Sequence, residues 1–174
     1  NSSESPIFKK GDLLYGLYQA RKSVTQSKQV LLTEGYADVI SMVQFGFVNA
    51  CGVLGTALTA KQVQRLAGLS HTVILVFDGD RAGQEAALRS AEMILCYGLQ
   101  VRVVPLPAED DVDSLLRREG AEALTGLIHR AEQGLAFCLS MITSHYSPKE
   151  VMAWALRFLK GMPAVSLRPY YLPR

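Results

Sequence analysis

Residues 73–83 read VILVFDGDRAG. Five apolar residues run straight into Asp78 and Asp80, which stand one glycine apart, and Gly83 follows close behind. An unbroken run of Val, Ile and Leu is the mark of a strand covered on both faces, as in a parallel sheet. Two like charges at the end of a buried strand repel each other unless something positive sits among them. The fold and the chemistry of the chain both turn on why those aspartates stand there.

The flanking sequence repeats the same unit. QVLLTE, residues 29–34, is a short apolar run ending in Glu34. GYADVISMVQFG follows, with Val39, Ile40 and Val43 at helical spacing and Gly46 as a stop. FVNACGV is a second strand candidate and GVLGTAL a glycine-containing loop. Thr59 and Gln62 form a capping box that opens a helix ending near Gly68. HTVILVFD is the third strand; RAGQEAALRSAEMILCYG places Ala87, Ala91, Ile94 and Leu95 on one helical face; QVRVVPL is the fourth strand. The order β-α-β-α-β-α-β over residues 29–106 predicts an α/β fold, a parallel sheet flanked by helices. Beyond residue 113 the pattern reads as an all-helical segment, with Ser147, Pro148 and Glu150 marking the start of a helix that ends near Gly161.

Composition excludes several classes. A net charge of +2 gives no bulk electrostatic argument for nucleic-acid binding, leaving only a local patch. Cys51, Cys96 and Cys138 are scattered, without a CxxC or Cys/His cluster, which reads as reduced, mostly buried thiols and gives zinc no support. No apolar run approaches the roughly 20 residues that span a bilayer. The opening NSSESPIFKKGD has neither an initiator Met nor a targeting pattern, as expected of a piece excised from a longer chain.

In an open parallel sheet, ligands sit beyond the carboxyl ends of the strands. Glu34 closes the first strand, Asp78 and Asp80 the third, and the acidic run EDDVD, residues 109–113, follows the fourth. A hard divalent cation such as Mg²⁺, which takes a few carboxylates together with water and phosphate oxygens, reconciles the charges. Gly79 is expected to let the chain turn sharply so that both aspartates face one ion. Plainer roles compete residue by residue: Asp80 as N-cap of the helix opening at Arg81, Asp113 as cap of SLLRREG, Glu34 as a simple strand end. Gly55 and Thr56, ahead of a helix N-terminus, are a candidate phosphate loop. FKKGDLLYGLYQARKS interleaves Lys9, Lys10, Arg21 and Lys22 with Tyr15 and Tyr18. That pattern suits phosphates and bases, or equally a helix whose tyrosines pack on the core.

These motifs together resemble a known family. TEGYADVISMVQFGFVNACGVLGTALT, VFDGDRAGQEAALRSAE and DVDSLLRREG resemble the Toprim domain of bacterial DnaG-type primases. SPIFKKGDLLYGLYQA is similar to the segment entering Toprim, and LRPYYLPR to the helical subdomain after it. The resemblance implies three parts: residues 1–28 as the end of an N-terminal polymerase subdomain, 29–118 as Toprim, and 119–174 as the start of a helical subdomain. It implies an enzyme that makes RNA primers on a single-stranded DNA template at the replication fork in the bacterial cytoplasm. The reaction would be two-metal nucleotidyl transfer from ribonucleoside triphosphates, with Mg²⁺ or Mn²⁺.

By the same resemblance the metal centre falls on Glu34, Asp78, Asp80, Asp111 and Asp113, with Glu34 also a candidate for proton transfer. Lys10, with Lys9, lies on a basic ridge for template or nucleotide, and Arg81 is expected to bind nucleotide or DNA as well. Val112 replaces the family's usual proline, so the register of Asp110 against Asp111 is for the structure to set. Lys9 stands where a histidine is frequent. The zinc ribbon and the domain that meets the replicative helicase fall outside these residues. Rival readings are a Toprim nuclease or topoisomerase with the same carboxylates, and a non-catalytic nucleic-acid-binding piece that needs only Lys9 to Lys22. A phospho-receiver domain fits poorly, because the first strand ends in a single Glu.

Overall fold

The computed structural model describes residues 5, 9–55, 57–108 and 110–161. Thr56, Glu109 and the closing LRPYYLPR with its Pro169 lie outside the described residues. After a 3-10 turn at Lys10–Asp12 come α1 (Leu17–Ser27), β1 (Gln29–Thr33), α2 (Tyr36–Gln44), β2 (Ala50–Gly52) and α3 (Ala60–Ala67). Next are β3 (Thr72–Leu75), α4 (Arg81–Cys96), β4 (Gln100–Val103), α5 (Val112–His129), β5 (Glu132–Gln133), α6 (Gly134–His145) and α7 (Pro148–Gly161). The strand order is β2-β1-β3-β4-β5. β1 to β4 pair in parallel, as the alternating sequence pattern predicts, while β5 joins β4 antiparallel. The helical reading beyond residue 113 passed over β5 because two exposed polar residues carry no strand signal.

Alternation along each strand splits the core into two layers. Val30, Leu32, Val73, Leu75, Val101 and Val103 point to one side, where they meet side chains such as Val24, Val63, Leu66, Ala91 and Ile94. Leu31, Ile74, Val76 and Val104 point to the other, against Val39, Met42, Leu115 and Leu116. The α4 face read from the sequence is buried as expected, with Ala91 and Ile94 both fully enclosed. On α2 the expected face is only partly right. Val39 is buried, but Ile40 and Val43 are exposed, and Met42 takes the inward position. With Tyr15 and Val48 they line an apolar groove beside the β2 edge.

The entering segment is fastened across that side of the sheet. Tyr15 and Gly52 exchange backbone hydrogen bonds at 2.9 and 3.0 Å, which caps the free edge of β2. The tyrosines are not core residues: Tyr15 packs edge-on against Tyr36, and Tyr18 is 88% exposed. The main anchor is Gln62, which is fully buried. Its Oε1 accepts from the Thr59 N–H at 2.9 Å, completing the capping box, while Nε2 donates to the Lys10 and Leu13 carbonyls at 3.1 and 2.6 Å. Gln62→Leu keeps the volume but strips the Thr59 N–H and the Leu13 carbonyl of their partner, while the Lys10 carbonyl keeps the Leu13 N–H at 3.2 Å. The expected loss is about 2–4 kcal/mol, read as a lower urea midpoint with an unchanged slope.

Candidate metal and nucleotide site

The parallel register brings the acidic residues to one edge. Leu32 pairs with Leu75, and Leu75 with Val103, so the segments beyond β1, β3 and β4 leave the sheet side by side. The Glu34 Oε1 accepts from the Asp78 N–H at 3.4 Å. Asp80 caps α4, accepting from the Gly83 N–H at 2.7 Å. The loop after β4 is tied to the aspartate loop by the Gly79 N–H, which donates to the Asp110 carbonyl at 2.9 Å.

The chain bends at Gly79 as expected, and the glycines of DGDRAG have a further reason. Gly79 does not adopt a left-handed conformation. It is required because a Cβ there would lie 1.9 Å from the Pro107 carbonyl oxygen. At Gly83 a Cβ would lie 2.3 Å from the Asp78 carbonyl oxygen. Both allow backbone to press on backbone: Gly79 draws the two acidic loops together, and Gly83 folds the first turn of α4 tightly onto Asp78.

The run after β4 divides its labour. Asp110 is held by both terminal nitrogens of Arg118, at 2.9 and 2.6 Å, and this guanidinium holds its carboxyl below the usual range. Asp111, not Asp113, is the cap of α5, accepting from the Ser114 N–H at 2.7 Å. Asp113 pairs with Arg117 at 2.8 Å and takes a hydrogen bond from Ser41, so its carboxyl is lowered as well. The register is therefore set: Asp110 is neutralised by its own helix, and Asp111 faces the other carboxylates.

The remaining acids raise each other. Glu34 is shifted up by burial, then by Asp78, with Asp80 and Asp38 adding to it. Asp78 is raised by burial and by Asp111 and Asp80. Asp38, on the first turn of α2, is 9% exposed and pushed up to about 6 by burial, with Asp78, Asp111 and Asp113 contributing. The sequence reading passed over Asp38. The visible signal was an acid three residues after Gly35, the N-terminal pattern of a helix, and its carboxylate does accept from the Gly35 N–H at 3.0 Å.

Glu34, Asp78, Asp80, Asp111 and Asp113 thus share one electrostatic environment. Among the described residues no three carboxylates converge tightly enough to grip an ion with their side chains as placed. The donor chemistry nonetheless fits a hard divalent cation: oxygen ligands only, and like charges raising one another. Of the other expected residues, Arg81 is turned to the surface and pairs with Glu85 at 3.1 Å. Lys9 is exposed ahead of the 3-10 turn that Lys10 begins. Gly55 is left-handed, φ 65°, ahead of α3. A cavity of about 140 Å³ opens beside Glu34, lined also by Ala57, Leu58, Arg89 and Ser90.

A carboxyl raised by folding is deprotonated at a cost, so its charge lowers stability as pH climbs from the ordinary carboxylate range through its folded value. Asp38→Asn is therefore expected to raise Tm at pH 7.5 by about 3–6 °C, from on the order of 1–2 kcal/mol. The gain should shrink as pH falls through about 6 toward 4, where the native Asp38 is itself protonated. Thermal melts across that range in EDTA check it.

Comparison with known proteins places this arrangement. Residues 31–116 match the Toprim-like family model. The chain is 36% identical to the DNA primase of Escherichia coli (strain K12) over 179 aligned positions, covering 98% of this chain and 31% of that protein. The crystal structure of a DNA primase domain from Pseudomonas aeruginosa superposes with a TM-score of 0.88 at 35% identity, over 97% of this chain and 56% of that one. A DnaG primase catalytic domain bound to ssDNA superposes with a TM-score of 0.85 at 36% identity, over 98% and 58%. The chain therefore spans under a third of the curated E. coli primase that it matches.

Proposed function

Because the chain belongs to the Toprim-bearing catalytic core of the bacterial DnaG-type primases, we propose that it carries the nucleotidyl-transfer centre of an enzyme that synthesises RNA primers on single-stranded DNA during replication. The observation that carries this reading is the arrival of carboxylates from three strand ends on a single edge of the sheet, where burial and then the neighbouring acidic charges raise Glu34 and Asp78. In this reading residues 1–28 close the polymerase subdomain, 29–118 form the Toprim unit and 119–174 open the helical subdomain. The enzyme works at the replication fork in the bacterial cytoplasm and meets the replicative helicase through a domain beyond these residues. Among the described residues no helix is long and apolar enough to cross a membrane.

Asp78, Asp80, Asp111, Asp113 and Glu34 are the groups that would hold Mg²⁺ or Mn²⁺. A metal held by these residues would supply activation of the attacking 3′-hydroxyl and neutralisation of charge on the triphosphate and departing pyrophosphate. The chain's own groups do the rest. Asp80 and Asp111 each commit one carboxylate oxygen to a helix N-terminus, which fixes the direction of the other. Glu34, half-buried and raised, is suited to hold a proton during transfer. Arg118 keeps Asp110 out of the set. Lys9 and Lys10 attract the polyanionic substrates, whereas the Gly55 N–H is already given to the Val53 carbonyl at 3.1 Å. Arg81 is released from Glu85 at little cost, since exposed i,i+4 pairs are worth only a few tenths of a kcal/mol.

A calorimetric titration of Mn²⁺ into the chain, with and without a ribonucleoside triphosphate, tests the proposal. Binding is expected to tighten when nucleotide is present and to disappear in Asp78→Asn/Asp80→Asn. Unchanged binding in the double variant would remove these aspartates from the centre.

A further inference from the structure

Arg118 silences the Asp110 carboxylate, and the same bonds fasten a loop. Asp110, Ser114 and Arg118 stand at intervals of four, so their side chains form one stripe along the start of α5. The terminal nitrogens of Arg118 donate to the two Asp110 carboxylate oxygens at 2.9 and 2.6 Å, and its Nε donates to Glu119 at 3.0 Å. The Ser114 hydroxyl reaches the same carboxylate at 3.4 Å. A guanidinium fork matched to a carboxylate is the surface ion pair whose geometry gives it weight. The pair is also shielded on one side, with the Asp110 side chain only 16% exposed. Arg118 has a firm base, since Leu115 and Leu116 on the same half of α5 are buried, and Gly120 breaks the helix two residues later at φ 79°.

The backbone of Asp110 is engaged as well. Its carbonyl accepts from the Gly79 N–H at 2.9 Å, and its own N–H donates to the Pro107 carbonyl at 3.1 Å. One residue therefore joins three segments: the first half of α5 through its side chain, the turn after β4 through its N–H, and the DGD loop through its carbonyl. Pro107 and Ala108 are exposed, so beyond Leu106 this turn is fastened by polar bonds. Against them works the mutual repulsion of the acids on the two loops, Asp78 and Asp80 on one side and Asp111 on the other.

We propose that Arg118 is a positioning residue for the carboxylate edge. Through Asp110 it clasps the turn after β4 against Gly79, and so sets how far Asp78 and Asp80 stand from Asp111. The cation that these acids would hold rests on the primase reading above; the clasp itself rests on the bonds. Without the clasp the repelling loops part, and a cation must first bring them together.

Amide hydrogen exchange at Gly79, followed by NMR on the 174-residue chain in EDTA, reads the clasp, and calorimetry with Mn²⁺ reads its consequence. Arg118→Gln and Asp110→Asn should each leave the loops closed only about one-tenth of the time, which strips Gly79 of protection and weakens Mn²⁺ about tenfold. The two substitutions change the local charge in opposite senses, so a loss common to both is not long-range electrostatics. The double variant should lose no more than either single one, because each breaks the same clasp. A cation that needs the closed loops also closes them, so saturating Mg²⁺ should restore Gly79 protection in both variants.

The clasp is overturned if Gly79 stays protected in both variants, if protection falls with Mn²⁺ affinity unchanged, if the losses add in the double variant, or if Mg²⁺ restores nothing. A matching fall in protection across β1 and β3 with a lower urea midpoint also overturns it, by reducing Arg118 to a stability role. The two readings separate. A native chain that binds neither Mn²⁺ nor nucleotide, with Gly79 protection still dependent on Arg118, sinks the primase centre and leaves the clasp. Gly79 protection and Mn²⁺ binding both indifferent to Arg118 and Asp110, with native metal and nucleotide binding intact, sink the clasp alone.

Discussion

Everything at the carboxylate edge depends on one close contact, the backbone of Gly79 against the Pro107–Asp110 loop. The Gly79 N–H donates to the Asp110 carbonyl, and the Pro107 oxygen occupies the space where a side chain would begin. This contact holds the segment after β3 against the segment after β4, and so sets Asp78 and Asp80 beside Asp111. Folding forces the approach, since both loops continue from adjacent parallel strands with buried, apolar bodies. The repulsion that results is a consequence of the sheet, tolerated because the hydrophobic layers on both faces outweigh it.

The acids after β4 and those at the other strand ends are treated differently: two have cations or hydrogen-bond donors of their own, while the buried ones are left charged against one another. Asp110 has the bidentate Arg118, and Asp113 has Arg117 and Ser41. Glu34, Asp38 and Asp78 form no ion pair among the described residues and are all raised. A chain selected for stability alone would place neutral residues at the last three positions. Their retention as carboxylates is a departure from local consistency of the kind expected where function is at work.

Much of this was legible in the sequence. The uninterrupted Val/Ile/Leu of β3, the Thr59–Gln62 box and the small apolar face of α4 were read correctly because each is a local signal. Glu34, Asp78 and Asp80 could be placed on one edge because strand ends in a parallel sheet coincide. What escaped was set by contacts distant in sequence. Asp38 reads as a helix-start acid, and only the packing of α2 against α5 brings it within reach of Asp111 and Asp113. The choice of Asp111 over Asp110 depends on Arg118, a full two turns along α5. Ile40 and Val43 were assigned to the core because apolar spacing cannot tell which stripe of a short helix turns inward. The second reason for Gly79, its approach to the Pro107 carbonyl, escaped because a close backbone contact leaves no trace in local sequence.

The charge pattern along the chain follows from the same topology. A parallel crossover delivers strand ends to one edge and helix flanks to the faces, so acids confined to strand ends gather at the edge. Cations confined to α1 and α3 gather on one face. Between Glu34 and Asp78 only Asp38 interrupts the acid-free stretch, and it too belongs to the edge. A net charge near zero therefore conceals two separated fields. An acidic edge alone would repel a nucleic acid, and a basic face alone would hold one with no means of acting on it. On the proposed reading, a polyanion drawn to the basic face would meet the edge only where a bound cation had neutralised its carboxylates.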